Sequence, residues 1–97
     1  MRDKLFAKMK LPALQGRVER LDGLPAGNLG VRGRARTIQA ARDKFGHIAT
    51  RNLLFSGTKA GHHLGIGRSG ASHAVRRGAA LLAEHPEVIE KIFSRSD

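Results

Sequence analysis

The sequence predicts an all-α fold, a small helical domain that contains a helix-turn-helix. Apolar residues recur at the spacing of amphipathic helices in successive stretches, and clusters of glycine, proline and capping residues separate those stretches. No segment shows the alternation of apolar and polar residues that is typical of a half-buried strand. Because the 97 residues include four Phe, no Trp and no Tyr, the modest core must consist mainly of Leu, Ile, Val and Ala.

The first predicted helix begins near Pro12, whose missing N–H group is tolerated in a first helical turn. Four apolar residues follow one face of this helix: Leu11, Leu14, Val18 and Leu21. The segment 22–30 contains three glycines and a proline, which end the helix in a loop. Residues 1–10 are basic with a small apolar cluster, and we expect them to form a short helix or a frayed arm.

The longest helical period in the sequence lies in residues 32–53. Its apolar stripe consists of Ile38, Ala41, Phe45, Ile48, Ala49 and either Asn52 or Leu53. Gly46 lies in the interior of this helix, where glycine costs roughly 1 kcal/mol relative to alanine. We therefore expect another element to pack closely against Gly46.

Two helices joined by a tight turn are predicted next. The first covers residues 58–64, with Ser56 or Thr58 as its N-cap, and the second covers residues 70–84, with Ser69 as its N-cap. The residues of the second helix that are expected to face inward are Ala71, Ala74, Val75, Gly78 and Leu82.

Small and apolar residues define the turn between these two helices. Gly61 is expected where the helices approach closely, and Gly65 where the backbone needs a positive φ. Leu64 and Ile66 are expected to anchor the turn in the core. The second helix is expected to end at His85, because the residue before a proline avoids the α region. A last helix is predicted over 86–93, with Pro86 in its first turn. Its apolar contacts are Val88, Ile89, Ile92 and Phe93.

The distribution of charge is more informative than the net charge of +10. Between Gly23 and Ala83 the one acidic residue is Asp43. Ten residues in the same segment are basic: Arg32, Arg34, Arg36, Arg42, Lys44, Arg51, Lys59, Arg68, Arg76 and Arg77. Such a segment favours a polyanionic partner, with nucleic acid expected because binding releases its counterions. A basic surface that serves solubility is the alternative, and a membrane is disfavoured because the basic residues do not follow one long amphipathic helix.

The second helix of the predicted helix-turn-helix is the element expected to contact DNA. Its outward residues are assigned to base edges in the major groove: Arg68, Ser69, Ser72, His73 and Arg76. Thr58 and Lys59, at the start of the preceding helix, are assigned to the DNA backbone together with Arg77. An ordinary pair of antiparallel helices with a solvated basic face is the alternative interpretation.

Residues 41–78, ARDKFGHIATRNLLFSGTKAGHHLGIGRSGASHAVRRG, resemble without gaps the C-terminal DNA-binding domain of REP-associated tyrosine transposases. The matching motifs are Ala41-Arg42, 49–53, Ser56, Gly61, the turn 64–66 and the segment 71–78. The ending SHAVRRG is the most specific of these motifs. The resemblance implies a helix-turn-helix that reads duplex or hairpin DNA.

The predicted fold is also similar to the C-terminal domain of the replication initiator DnaA and to Trp-repressor-like helical domains. In DnaA a basic loop enters the minor groove while the helix-turn-helix occupies the major groove. This resemblance implies that Arg34 and Arg36 form a second contact, with the DNA backbone or minor groove. The DnaA signature GGRDH is absent from this sequence.

The sequence predicts no catalytic residues, no cofactor, no metal and no small-molecule substrate. Transposases of the resembled family cleave DNA with a tyrosine nucleophile and a metal held by two histidines, and this sequence contains no tyrosine. His62 and His63 point about 100° apart on a helix, so we expect them to be solvated or to face phosphate. Ser69 and His73 lack an acid that would complete a triad, and His47 is expected to be a hydrogen-bonded packing residue.

We divide the chain into an N-terminal helix and loop, 1–30, and a helix-turn-helix DNA-binding domain, 31–97. A cytoplasmic, nucleoid-associated bacterial protein is expected, because we identify neither a signal peptide nor an apolar run of membrane-spanning length. The alternative function is a helical protein–protein interaction module with an acidic partner. RNA binding is disfavoured by the lack of Tyr and Trp for base stacking. The oligomeric state stays open, as does the question of whether the chain is part of a longer transposase.

Overall fold

The computed structural model describes residues 9–27, 29 and 36–93, and within these ranges every regular element is helical. The described α-helices are α1 (Leu11–Leu21), α2 (Arg36–His47), α3 (Gly57–Leu64), α4 (Arg68–Glu84) and α5 (Glu87–Phe93). A π-helical turn, Ile48–Asn52, continues α2. The predicted all-α class is therefore confirmed. The arm predicted for residues 1–10 lies mostly outside the described residues.

The core forms along the predicted apolar stripes. Its largest fully buried side chains are Phe45, Leu14, Leu29, Ile48, Ile92 and Val18. Helix α1 packs against both α2 and α5, and Arg17 Nη1 donates a hydrogen bond of 2.7 Å to the Ile92 carbonyl. The N-terminal helix therefore contributes to the same core as the rest of the described chain.

The largest interface in the fold joins α2 to α4, and two glycines allow these helices to approach closely. A Cβ atom added at Gly46 would lie 3.3 Å from the Cβ of Ala74. A Cβ added at Gly78 would overlap the Asp43 carbonyl of α2. The close packing predicted at Gly46 is confirmed, and Gly78 makes the tighter approach of the two.

The π-helical turn corrects the prediction of a continuous α-helix up to residue 53. The Leu53 amide donates to the Ile48 carbonyl at 3.0 Å, so one turn here holds one residue more than an α-turn. Thr50 Oγ1 donates back to the Gly46 carbonyl at 2.9 Å. Of the two alternatives for the end of the apolar stripe, Leu53 is buried and Asn52 is half-buried.

A buried carboxylate, Glu19, organises the loop that follows α1. Its oxygens accept hydrogen bonds from the amides of Gly27 (3.1 Å) and Leu29 (3.0 Å) and from Gln15 Nε2 (2.9 Å). Burial acts to raise the pKa of Glu19, but these hydrogen bonds and the nearby His63 outweigh it, and the pKa is lowered. Sequence patterns do not predict this role, because glutamate in a helix is usually solvated.

None of the described helices combines the length and the apolar character that a bilayer span requires.

Replacing Gly78 by alanine tests the close approach of α2 and α4. We expect Gly78→Ala to lower the free energy of unfolding by about 2–3 kcal/mol, because the new methyl group meets backbone that must shift. Gly16→Ala is the matched control, since a Cβ there meets nothing within 4 Å in α1. The control should raise the free energy of unfolding by up to about 1 kcal/mol. Urea unfolding monitored by circular dichroism measures both, and equal midpoints for Gly78→Ala and wild type would contradict the packing.

Candidate nucleic-acid interface

Helix α3 has a side-chain cap at its N-terminus. Ser56 Oγ accepts a hydrogen bond of 3.0 Å from the Lys59 amide, which satisfies one of the amides that a helix start leaves unpaired. Of the two predicted caps, Ser56 is therefore correct, and Thr58 lies inside the helix. The cap fixes the direction in which α3 leaves the preceding loop.

The turn between α3 and α4 closes with two backbone hydrogen bonds. The Gly65 amide donates to the His62 carbonyl at 3.1 Å, and the Ile66 amide donates to the Gly61 carbonyl at 2.9 Å. This pair of bonds is the Schellman motif, which needs a left-handed residue at the position of Gly65. The φ of Gly65 is 73°, so the positive φ predicted there is confirmed.

Gly61 lets α3 and α4 approach each other beside this turn. A Cβ added at Gly61 would lie 2.9 Å from the Cβ of Ala71 and 3.2 Å from the Ile66 carbonyl oxygen. Leu64 is buried, and Ile66 packs against the core. The roles predicted for Gly61, Leu64 and Ile66 are therefore confirmed, and the two helices are held in one fixed arrangement.

Helix α4 begins earlier than the sequence predicts. Its first residue is Arg68, and its N-cap is Gly67, which provides no side-chain hydrogen bond. The prediction that Ser69 caps this helix is wrong, because the extended backbone at Gly67 already starts the helix there. Ser69 instead lies in the first turn with its side chain exposed.

The five residues assigned to base edges lie together on the outer side of α4. Each of them is exposed: Arg68, Ser69, Ser72, His73 and Arg76. Because successive helical residues rotate by about 100°, they fall within an arc of roughly 140°, which we call the outer arc. The inward residues Ala71, Ala74, Gly78 and Leu82 are buried on the opposite side as predicted, and Val75 is half-buried.

Asp43, the one acid of the basic segment, is buried beneath Arg77. Arg77 Nε donates to Oδ1 and Oδ2 of Asp43 at 3.3 and 3.2 Å, and Gln39 Nε2 donates to Oδ1 at 3.0 Å. The Asp43 side chain is 5% exposed, whereas the Arg77 side chain is 52% exposed. The carboxylate is therefore neutralised below the surface, and part of the Arg77 guanidinium still faces solvent.

The residues assigned to the DNA backbone occupy different elements. Thr58 and Lys59 are exposed in the first turn of α3, where Lys59 Nζ lies 5.9 Å from the centroid of the Phe55 ring. Arg36 is exposed as the first residue of α2. Arg34 lies outside the described residues, so its predicted role is not addressed by the structure.

An open groove of about 440 Å³ lies beside the outer arc. Its walls come from the π-helical turn, the start of α3 and the middle of α4: Thr50, Arg51, Gly57, Ser72, Val75, Arg76 and Ala79. The sequence did not predict Arg51 as a site residue. The α-helix predicted up to residue 53 gave no reason to expect the Arg51 side chain in a groove beside α4. The signal that marks it is the π-helical turn, a feature often found at functional sites.

His63 corrects the expectation that both adjacent histidines are solvated or face phosphate. Its ring stacks on Phe45, with centroids 5.5 Å apart, and its Nε2 lies 2.6 Å from Gln15 Oε1. Since Gln15 Oε1 can only accept, His63 Nε2 carries the proton. Burial lowers the pKa of His63, while the negative charge of Glu19 acts against that shift. His62 is exposed as expected.

His47 is a half-buried packing residue, but it is not fully hydrogen-bonded as predicted. Its Nδ1 is buried without a hydrogen-bond partner in the described structure, and its Cβ packs close to Gly78. Burial lowers the pKa of His47, the Val75 backbone acts in the opposite direction, and the charge of Arg51 adds to the lowering. Among the described residues, no group of three or more His, Cys, Asp or Glu side chains is arranged to hold a metal ion.

Comparison with known proteins identifies no relative of this chain. No protein-family model matches the chain, and neither a curated protein nor a solved structure is significantly similar to it. The similarity of residues 41–78 to the transposase domain therefore stays a prediction from the sequence.

The half-buried position of His63 against Phe45 predicts a pH dependence of stability. The pKa of His63 in the folded state is below the ordinary value of 6.5. The contribution of this neutral ring to the free energy of unfolding is therefore present above pH 6.5 and is lost as the pH falls through the folded-state pKa. We expect the free energy of unfolding to fall between about pH 7.5 and about pH 5.5, and to fall less steeply in His63→Asn. Urea unfolding at several pH values measures the slope of the free energy of unfolding against pH.

The matched control is His62→Asn, which should keep the wild-type slope. A wild-type slope in His63→Asn as well would contradict the assignment.

Proposed function

We propose that this chain is a helix-turn-helix DNA-binding domain, in which α4 enters the major groove of a duplex and α3 supports it. The observation that carries this proposal is the charge of the outer arc. Arg68, His73 and Arg76 are exposed on one side of α4. Asp43, the one acid of the basic segment, is buried and paired with Arg77. A basic surface without an exposed acid of its own segment favours an approaching phosphate.

The side chains of the outer arc have the chemistry that base recognition requires. Arg68 and Arg76 carry planar guanidinium groups that can donate two parallel hydrogen bonds to guanine O6 and N7. Ser72 lies between them on the arc, His73 lies at the edge of the arc beyond Arg76, and both can bond to neighbouring base edges. Ser69 adds a hydroxyl in the first turn of α4, where the helix amides themselves favour a phosphate.

A second group of residues supplies contacts that do not depend on base sequence. Thr58 and Lys59 lie at the start of α3, where a supporting helix meets the DNA backbone in this class of domain. Arg77 adds a half-exposed guanidinium beside the outer arc. Arg34 and Arg36 are proposed for the DNA backbone or minor groove, on the resemblance to DnaA. These contacts would position α4 while the outer arc selects the sequence.

The rigid joint between α3 and α4 supports the same role. The Schellman turn at Gly65 and the close approach at Gly61 fix the direction of α4 before any ligand binds. A preformed helix loses little conformational entropy on binding, which favours affinity. The resemblance of residues 41–78 to a transposase DNA-binding domain points the same way. We propose binding rather than cleavage, because the tyrosine nucleophile of that family has no counterpart in this sequence.

Comparing Arg76→Ala with Lys59→Ala tests the division between base reading and backbone contact. A duplex is first selected from a random pool with the wild-type protein, and affinities for it and for an unrelated duplex are measured by fluorescence anisotropy. We expect Arg76→Ala to cost about 1–3 kcal/mol on the selected duplex and less on the unrelated one. Lys59→Ala should weaken binding to both duplexes by the same factor, because a phosphate contact does not depend on sequence.

The salt dependence of wild-type binding separates DNA from an acidic protein as the partner. DNA affinity should fall linearly on a plot of log affinity against log salt, with a slope proportional to the phosphates neutralised.

Two results would contradict these expectations. Equal losses of affinity on the selected and unrelated duplexes for Arg76→Ala would show that Arg76 does not read bases. No binding of the wild type to any duplex at low salt would overturn the proposed function.

A further inference from the structure

The groove beside the outer arc has the charge of an anion site. Arg51 and Arg76 both line it, and no carboxylate is found among the described residues that form its walls. Neither arginine has a hydrogen-bond or ion-pair partner within the described part of the chain. An anion bound between the two guanidinium groups would offset the repulsion between their like charges. The arrangement therefore favours a negatively charged occupant.

The other groups in the groove are suited to hold a phosphate. Ser72 contributes an exposed hydroxyl from α4, and Thr50 contributes a half-buried one from the π-helical turn. Thr50 Oγ1 also donates to the Gly46 carbonyl, which fixes its side chain. Arginine pairs with phosphate through two parallel bonds, and hydroxyl groups are common additional donors to DNA phosphates.

The groove is continuous with the proposed base-reading surface. Ser72 and Arg76 belong both to the outer arc and to the groove wall, whereas Arg51 belongs to the groove alone. When a helix lies in the major groove, the phosphates of the flanking strands pass along its sides. A strand beside α4 would therefore run past Arg51.

We propose that this groove holds a backbone phosphate of the DNA strand that flanks α4, and that Arg51 is a phosphate-contacting residue. The inference rests on the proposed function, because it names the strand contact of the same interface. It also assigns a role to the π-helical turn, which places Arg51 against α4. The shared chemistry, a phosphate group bound by arginine, would also suit a free phosphate ion, so the experiment separates the two sources.

The test compares Arg51→Ala with Arg20→Ala. Arg20 is an exposed arginine of α1, a helix that packs against α2 and α5, so its removal changes the net charge equally without touching the groove. We expect Arg51→Ala to weaken binding to the selected and unrelated duplexes alike, by about five- to tenfold at about 0.1 M salt. The slope of log affinity against log salt should become shallower by about 0.9. Arg20→Ala should keep the wild-type slope.

Two further measurements complete the design. Arg51→Gln repeats the comparison if the alanine variant melts at a lower temperature, and it should show the same change of slope. Titration calorimetry with inorganic phosphate tests a free ion as the occupant. Wild-type affinity and slope in Arg51→Ala, with the wild type binding DNA, would overturn this inference and leave the proposed function intact. Tight phosphate binding that is lost in Arg51→Ala, with unchanged DNA binding, would also overturn it. If the wild type binds no duplex, both proposals fail.

Discussion

The close contact between α2 and α4 is the constraint on which the rest of the structure depends. Gly78 lies directly against the Asp43 carbonyl, and Gly46 lies against Ala74. A larger residue at Gly78 would have to move the backbone of α2, and one at Gly46 would crowd the Cβ of Ala74, so these two glycines set the distance between the helices. Because α4 also carries the outer arc, the same contact determines which residues of α4 face solvent and which face α2.

The burial of Asp43 shows how one contact serves both stability and surface charge. A carboxylate costs free energy to bury unless it is paired and hydrogen-bonded, and Arg77 and Gln39 meet that need. As a result, Asp43 presents no exposed carboxylate among the basic residues of the segment 23–83. Glu19 follows the same rule on the other side of the core, where its carboxylate bonds to the Gly27 and Leu29 amides. In both cases a buried acid organises neighbouring basic or backbone groups.

Sequence patterns predicted the helices well because apolar period and glycine position are local signals. Leu14, Phe45 and Leu82 lie in the core as their spacing predicts, and Gly65 has the positive φ that its place in the turn requires. The patterns failed where the outcome depends on distant partners. His63 was expected to be solvated or to face phosphate, yet it stacks on Phe45. The placement of Arg51 depends on a π-helical turn that no spacing rule predicts. The outer arc was found from the sequence, whereas the groove beside it needed the three-dimensional arrangement.

The separation of inward and outward residues on α4 has a practical consequence. The inner side of this helix includes Ala71, Ala74 and Gly78, small residues that fit closely against α2 and α3, whereas the residues of the outer arc are exposed. The residues that pack α4 into the fold and the residues proposed to contact DNA are therefore different positions of one helix. We therefore expect substitutions on the outer arc to leave the packing of α4 intact, so the residues proposed for recognition can be varied while the buried side of the helix is kept.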